Sequence, residues 1–145
     1  QILEHPILYA IVQDFILFTQ TALDCVKKMQ QQTIADYTEL AISMIETHYK
    51  NPELTLQIVA RNLNMSANYL STVFSKKRGI PFKKYLQQYR VQQAATLLLE
   101  TDYSIATIAE TVGFVDSNYF TKVFRDYYHI TPYRYRCTEK STKEV

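Results

Sequence analysis

Residues 104–136, SIATIAETVGFVDSNYFTKVFRDYYHITPYRYR, contain the motif that decides the fold of this 145-residue chain. Its first four apolar positions have helical spacing and define one face of a short helix: Ile105, Ile108, Ala109 and Val112. Gly113 favours the end of that helix, because glycine adopts left-handed backbone angles without steric cost. Asp116 can cap a second helix, in which Phe120, Val123 and Phe124 continue the apolar spacing. Two short helices joined by a tight glycine turn predict a helix-turn-helix.

The same pattern occurs earlier in the chain. Its first helix repeats 49 residues upstream, at Leu56, Val59, Ala60 and Leu63. Asn64 stands in the place of Gly113, and asparagine also tolerates left-handed angles. The upstream turn is one residue shorter, so the second helix repeats at an offset of 50: Tyr69, Leu70, Val73 and Phe74 match Tyr119, Phe120, Val123 and Phe124. A single unit could equally be an ordinary helical hairpin, but the duplication favours two helix-turn-helix units.

The outward positions of the second helix in each unit carry small polar or basic side chains. Asparagine can pair bidentately with adenine, and hydroxyl groups can bond base edges or contact the thymine methyl group. We therefore predict six base-reading residues: Asn68, Ser71, Thr72, Ser117, Asn118 and Lys122. The alternative for these side chains is plain exposure to solvent. For Tyr119, a packing role and a groove contact are both open.

Basic residues flank both units and suit contacts to DNA phosphates. The predicted set is Lys76, Lys77, Lys83, Lys84, Arg125, Arg134 and Arg136. Some of these could instead only solvate the surface, and Arg90 could equally form a structural ion pair. Residues 1–50 hold three basic and six acidic residues, a net charge of −3, whereas residues 51–145 carry +5. The positive charge therefore accompanies the duplicated motif.

At these residues the chain resembles the DNA-binding domain of the AraC/XylS transcription regulators. The residues that carry the resemblance are Leu56, Ala60, Ser66, Leu70, Phe74 and Gly79 in the first unit, and Ile108-Ala109, Val112-Gly113-Phe114, Tyr119-Phe120, Phe124, Pro132, Tyr135 and Arg136 in the second. It covers about residues 36–136. Two positions depart from the pattern: Ile80 cannot cap the following helix, and His129 stands where glycine is usual.

The resemblance implies an all-α fold with two helix-turn-helix subdomains, at about 55–78 and 104–128. A long helix at about 81–100, opened by Pro81, joins them and fixes their separation. We expect this DNA-binding domain to span residues 33–136, with a final short helix to Arg136 and a flexible tail at 137–145.

Residues 1–32 form the remaining segment. Pro6 opens an apolar helix that needs a partner in water. This segment could be a linker to an absent upstream domain, a dimerisation helix acting through residues 6–30, or a helix that folds back onto its own domain. Gln30–Gln32 suggest a boundary or bend, with Thr33 capping a new helix that ends before Pro52. Because the chain starts at Gln1, we read it as the end of a longer protein.

Enzyme chemistry has least support in this sequence. His5, His48 and His129 are scattered, and neither they nor Cys25 and Cys137 have metal-ligand spacing. We expect no cofactor and no metal, and two isolated cysteines suit a reducing cytoplasm. No unbroken apolar run reaches the ~18 residues of a membrane span, so no membrane association is expected.

The expected function is therefore sequence-specific binding of double-stranded DNA, by two recognition helices in successive major-groove segments of an asymmetric promoter site. A cytoplasmic, nucleoid-associated location and contact with RNA polymerase follow from the same resemblance. The rival is a helical interaction module that uses residues 6–30 and has no affinity for DNA.

Overall fold

A computed structural model of the protein describes the backbone of residues 6–143, with side chains described for residues 7–33 and 37–139. Every regular element within residues 6–143 is an α-helix, which confirms the predicted fold class. The helices are α1 (Pro6–His48), α2 (Leu56–Asn62), α3 (Ala67–Arg78), α4 (Phe82–Glu100), α5 (Ile105–Thr111), α6 (Ser117–Tyr128) and α7 (Pro132–Lys143).

Helix α1 continues without a break through the predicted boundary at Gln30–Thr33. Thr33 caps nothing there: its Oγ1 donates to the carbonyl oxygen of Met29 at 2.9 Å, inside the helix. The prediction of a new helix at this point is therefore wrong, and its reason is physical. No glycine or proline occurs between Pro6 and Pro52, and a threonine in a helix interior can bond back to position i−4. The chain divides into compact units at Tyr37–Thr38.

The side chains of α1 as far as Met29 leave a large apolar surface in water. Those exposed are Ile7, Leu8, Tyr9, Ile11, Val12, Phe15, Ile16, Leu17, Phe18, Leu23, Val26 and Met29. By length and composition alone, Ile7–His48 could also cross a membrane, since its most apolar 18-residue window has a mean hydropathy of 1.2. A window average can include polar residues, and Gln13 and Asp14 interrupt this apolar stretch. The criterion of an unbroken apolar run therefore did not detect it. Core helices of soluble proteins meet the same criterion but are mostly buried, whereas no residue of this window is buried.

The first helix-turn-helix consists of α2 and α3. Each helix begins after a side-chain cap: Thr55 Oγ1 accepts from the amide of Ile58, and Ser66 Oγ accepts from the amide of Tyr69. Asn64 takes the left-handed conformation in the turn, with φ of 55°. The core of this unit joins α2 and α3 to the end of α1 and the start of α4, through residues that include Ile45, Val59, Leu70, Phe74 and Phe82.

The second helix-turn-helix, formed by α5 and α6, repeats this construction. Ser104 Oγ accepts from the amide of Thr107, and Asp116 Oδ1 accepts from the amides of Asn118 and Tyr119. Gly113 makes the turn with φ of 94°. Its core includes Val91, Leu98, Ile108, Phe120 and Phe124, all fully buried. Both units are thus confirmed as duplicated structures as well as duplicated sequences.

Helix α4 belongs to both cores. Phe82 and Leu86 pack in the first, whereas Val91, Ala94 and Leu98 pack in the second. Pro81 occupies the N-cap position of α4 and makes no side-chain hydrogen bond there. Ile80 cannot supply a cap either, so α4 begins without a side-chain cap. One helix therefore fixes both units to a common support.

Arg90, in the middle of α4, connects this helix to the segment that follows α1. The side chain is buried, its Nε donates to the carbonyl oxygen of Tyr49 at 2.8 Å, and its Nη2 donates to that of Asn51 at 2.7 Å. Of the roles left open for Arg90, the structural one is therefore observed, but its partners are carbonyl oxygens and not the carboxylate of an ion pair. A Cβ atom at Gly113 would clash with the same Tyr49 oxygen and lie 3.0 Å from Arg90 Nε. The glycine is thus required by space as well as by backbone angle.

Helix α7 extends to Lys143, beyond the predicted end at Arg136. The predicted last helix was therefore too short, because residues 137–143 contain no glycine or proline to end it. Residues 144–145 lie outside the described part of the chain.

Candidate nucleic-acid interface

The predicted base-reading residues of α3 lie near its amino-terminal end and along its outer face. Asn68 and Thr72 are exposed, and Ser71 is half-buried. The hydroxyl of Thr72 donates to the carbonyl oxygen of Asn68 at 3.0 Å. That bond uses the only hydroxyl proton, so the side chain offers oxygen lone pairs and a methyl group to a partner.

Helix α6 presents its predicted readers in a similar way. Asn118 and Lys122 are exposed and Ser117 is half-buried. The carboxylate of Asp116 binds the amide of Asn118 at 2.7 Å and that of Tyr119 at 3.1 Å, which fixes the first turn of the helix. Side chains on a fixed first turn have few conformations to lose on binding, and this favours specific recognition.

The cations around the first unit fall into two classes. Lys76, Lys77, Lys83 and Lys84 are exposed on either side of the tight turn between α3 and α4. Arg78, between them, makes intramolecular contacts. Its guanidinium lies 5.4 Å from the ring centre of Tyr85, and its Nη2 forms an ion pair with Glu39 Oε1 at 4.0 Å. The four lysines are therefore the side chains of this cluster best placed to meet phosphates.

The predicted phosphate-binding arginines of the second unit also differ from one another. Arg125 on α6 and Arg134 on α7 are exposed. Arg136 is half-buried, with Nε 3.1 Å from the carbonyl oxygen of Leu98 and Nη2 2.6 Å from that of Tyr103. Its main visible role is to fasten α7 to α4 and to the loop before α5.

A groove between α4 and α6 brings together lysines that are distant in sequence. It has a volume of about 580 Å³, and Lys83, Lys84 and Lys122 line it together with Tyr119 and Asp126. From the sequence, Lys83 and Lys84 are predicted to contact phosphates and Lys122 to contact bases. Their meeting at one groove could not be read from spacing, because it depends on how α6 packs against α4.

Tyr119 has a packing role and remains accessible. Its ring packs edge-on against Phe114 with centroids 6.1 Å apart, while 43% of the side chain stays exposed. Its hydroxyl accepts a hydrogen bond from Gln87 Nε2 of α4. Further along, Gln92 Nε2 donates to the hydroxyl of Tyr127 at 2.7 Å. These two bonds clasp α6 to α4.

Two features of the site were missed by sequence reasoning. Val115, in the turn before α6, is 89% exposed. The other is the set of carbonyl partners of Arg90: burial lowers the pKa of its guanidinium, which stays charged because the pKa of arginine lies far above neutral. Among the residues that the structure describes, no cluster of His, Cys, Asp or Glu could hold a metal ion.

Comparison with known proteins places this geometry among DNA-binding regulators. A family model described as a helix-turn-helix domain matches residues 59–137. The regulatory protein PocR of Salmonella typhimurium is 40% identical over 96 residues, which are 66% of this chain and 31% of PocR. Across the curated relatives compared, the chain spans 15% to 45% of their length.

Solved structures agree with this placement. The C-terminal domain of the two-component response regulator yesN from Fusobacterium nucleatum is 46% identical, with a TM-score of 0.65, and the match covers 68% of this chain and 95% of that domain. A transcriptional regulator from Chromobacterium violaceum, described as containing an AraC-type DNA-binding domain, is 26% identical with a TM-score of 0.66 over 71% of this chain and 91% of that one.

Proposed function

The chain belongs to the AraC/XylS family of bacterial transcription regulators, and we propose that it binds an asymmetric promoter site by inserting α3 and α6 into successive major-groove segments. The family's members act as DNA-binding regulators, not as enzymes. Binding to DNA places the protein in the cytoplasm, and we propose that it resides on the nucleoid.

The observation that carries this proposal is that two capped recognition helices share one supporting helix. α4 has 19 residues and is therefore about 28 Å long, and it holds the first unit through its first half and the second unit through its second half. Successive major-groove segments on one side of a duplex lie ~34 Å apart. The outer faces of α3 and α6 differ, since Lys122 has no basic counterpart at Thr72. Two different faces favour two different half-sites, so a single domain needs no palindrome.

Within this site we propose a division of labour between base and phosphate contacts. Base edges would be read by Asn68, Ser71, Thr72, Ser117, Asn118 and Lys122. Phosphates would be bound by Lys76, Lys77, Lys83, Lys84, Arg125, Arg134 and Arg136. Arg136 would contribute while keeping its two carbonyl partners, and the loss of this residue would also loosen α7.

The direct test is selection of bound sequences from random DNA, followed by footprinting on the selected site. We expect a non-palindromic sequence with protection over about two helical turns per domain. Protection of one turn only would reject insertion of both helices, and the absence of any selected sequence would reject specific binding.

A second experiment tests the division of labour. Asn118→Ala should relax preference at a few base positions by about 1–3 kcal/mol while leaving the affinity for random DNA unchanged. Lys83→Ala should weaken all duplexes alike and reduce the slope of log K against log salt by about one. Asn62→Ala, an exposed asparagine at the end of α2, is the matched control. Equal losses on specific and random DNA for both variants would contradict the assignment.

We also propose that the apolar surface of α1 pairs with a second copy of this chain. Asp14 and Asp24 on this helix would repel phosphates, so DNA does not suit the surface. Pairing two copies would let one dimer occupy two tandem DNA sites. RNA polymerase is the second proposed partner, as expected of a promoter-bound regulator, and binding of purified polymerase to the protein on its selected site tests this.

A further inference from the structure

The turn of the second helix-turn-helix contains one residue that the first lacks, and the structure identifies it as Val115. Both turns close with an equivalent backbone bond: the amide of Met65 donates to the carbonyl of Ala60 at 3.0 Å, and that of Phe114 donates to Ala109 at 2.9 Å. Up to this point the units match at an offset of 49. The caps Ser66 and Asp116 match at 50, so the added residue lies between Phe114 and Asp116.

Val115 has no packing role that would explain an apolar side chain. It is 89% exposed, more than any other large apolar side chain that the structure describes, the next being Ile7 at 76%. Its neighbours on either side have clear local functions. Phe114 is buried in the core of the second unit, and Asp116 caps α6.

The position of Val115 relates it to the recognition surface. It directly precedes the capped first turn that carries Ser117 and Asn118, and residues at this end of a recognition helix approach the base edges. The adjacent carboxylate of Asp116 disfavours a nearby phosphate. An apolar group here therefore suits the floor of the major groove better than the DNA backbone.

The major groove offers one strongly apolar feature, the C5-methyl group of thymine. We infer that Val115 is a specificity-determining residue that contacts a thymine methyl group in the half-site bound by α6. This inference rests on the proposed function and deepens it, because it adds apolar readout to one half-site only. The shorter turn of the first unit provides no equivalent residue.

The test replaces thymine by uracil, which lacks only the methyl group, one position at a time in the selected site. For the wild-type protein we expect one uracil in the α6 half-site to weaken binding about fourfold, the effect of one buried methyl-sized group. Val115→Ala should bind the thymine and uracil duplexes equally. Val115→Ile, which keeps the apolar reach, should retain the preference for thymine.

Uracil substitutions in the α3 half-site serve as the internal control, because Val115→Ala should leave their effects unchanged. Thermal unfolding of both variants should match the wild type, given the exposure of the side chain. A specific site without a thymine in the α6 half-site, or a thymine preference that survives Val115→Ala, would overturn the inference and leave the proposed function intact. Normal DNA binding combined with lost transcription activation would instead assign Val115 to a protein contact. Failure to select any site would reject the proposed function itself.

Discussion

At the scale of single residues, the two glycines of the chain are expected to respond very differently to substitution. Gly79 and Gly113 both have positive φ, so alanine at either position costs about 1–2 kcal/mol of backbone strain. Around Gly79 the space for a Cβ is open, whereas at Gly113 a Cβ meets the carbonyl of Tyr49 and the guanidinium of Arg90. Gly113→Ala should therefore cost about 1–3 kcal/mol more than Gly79→Ala. Urea unfolding measures both, and equal losses would show that the close contact at position 113 relaxes freely.

Two half-buried tyrosines, Tyr128 and Tyr135, predict how stability changes in alkali. Burial raises the pKa of Tyr128, with smaller contributions from Tyr135 and Tyr127, and burial likewise raises the pKa of Tyr135, helped by Glu139. A phenol with a raised pKa in the folded state keeps its proton longer than it does in the unfolded chain. Its contribution is therefore complete below the unfolded value of about 10 and is lost as the pH rises further.

The expected outcome is a melting temperature that falls above about pH 10, with a smaller fall for Tyr128→Phe. Tyr133→Phe, which alters an exposed tyrosine, is the control and should follow the wild type. An alkaline loss of the same size in all three proteins would assign the transition to other groups.

At the scale of helices, the bonds between α4 and α6 predict where the second unit opens. Gln87 and Gln92 donate to hydroxyls on α6, so the double variant Gln87→Ala/Gln92→Ala should lose about 1 kcal/mol. Amide hydrogen exchange should accelerate in α6 and stay unchanged in α3. Gln88→Ala, on the same helix, is the control. Equal acceleration in both recognition helices would mean that the clasps support the whole domain.

Local signals predicted most of the helices, and the misses arise where a helix continues past a predicted boundary or where a role depends on tertiary contacts. Thr55 and Asp116 were predictable as caps because a cap bonds an amide two or three residues away. Thr33 has the same chemistry but no helix breaker near it. The role of Arg90 could not be predicted, because its partners are carbonyls 39 and 41 residues distant and every residue in the chain has one. The meeting of Lys83 and Lys122 at one groove likewise depends on packing.

At the scale of the whole molecule, the proposed pairing through α1 predicts that the segment before the DNA-binding domain sets the oligomeric state. Removing residues 1–32 should leave a folded monomer, because residues from Thr38 onward form a compact unit by themselves. That monomer should bind a single site as before and tandem sites more weakly. Sedimentation of the intact chain should show a dimer.

Two outcomes would contradict pairing through α1. A monomer at high concentration would mean that its apolar side chains find cover elsewhere. Partition into phospholipid vesicles, lost on removal of residues 1–32, would assign the helix to a membrane. The boundary at residue 33 remains a prediction, since the helix itself shows no break there.

The residues with left-handed backbone angles occupy equivalent positions in the two units but differ in type. In the first unit the turn uses Asn64 and the recognition helix ends at Gly79; in the second the turn uses Gly113 and the helix ends at His129. The choice of glycine has thus been reversed between the copies, although all four backbone angles are alike in sign. The two units therefore keep the same path of the main chain at these positions while the residues that follow it are exchanged. Comparing the units by dihedral angle reveals a correspondence that their letters hide at these positions.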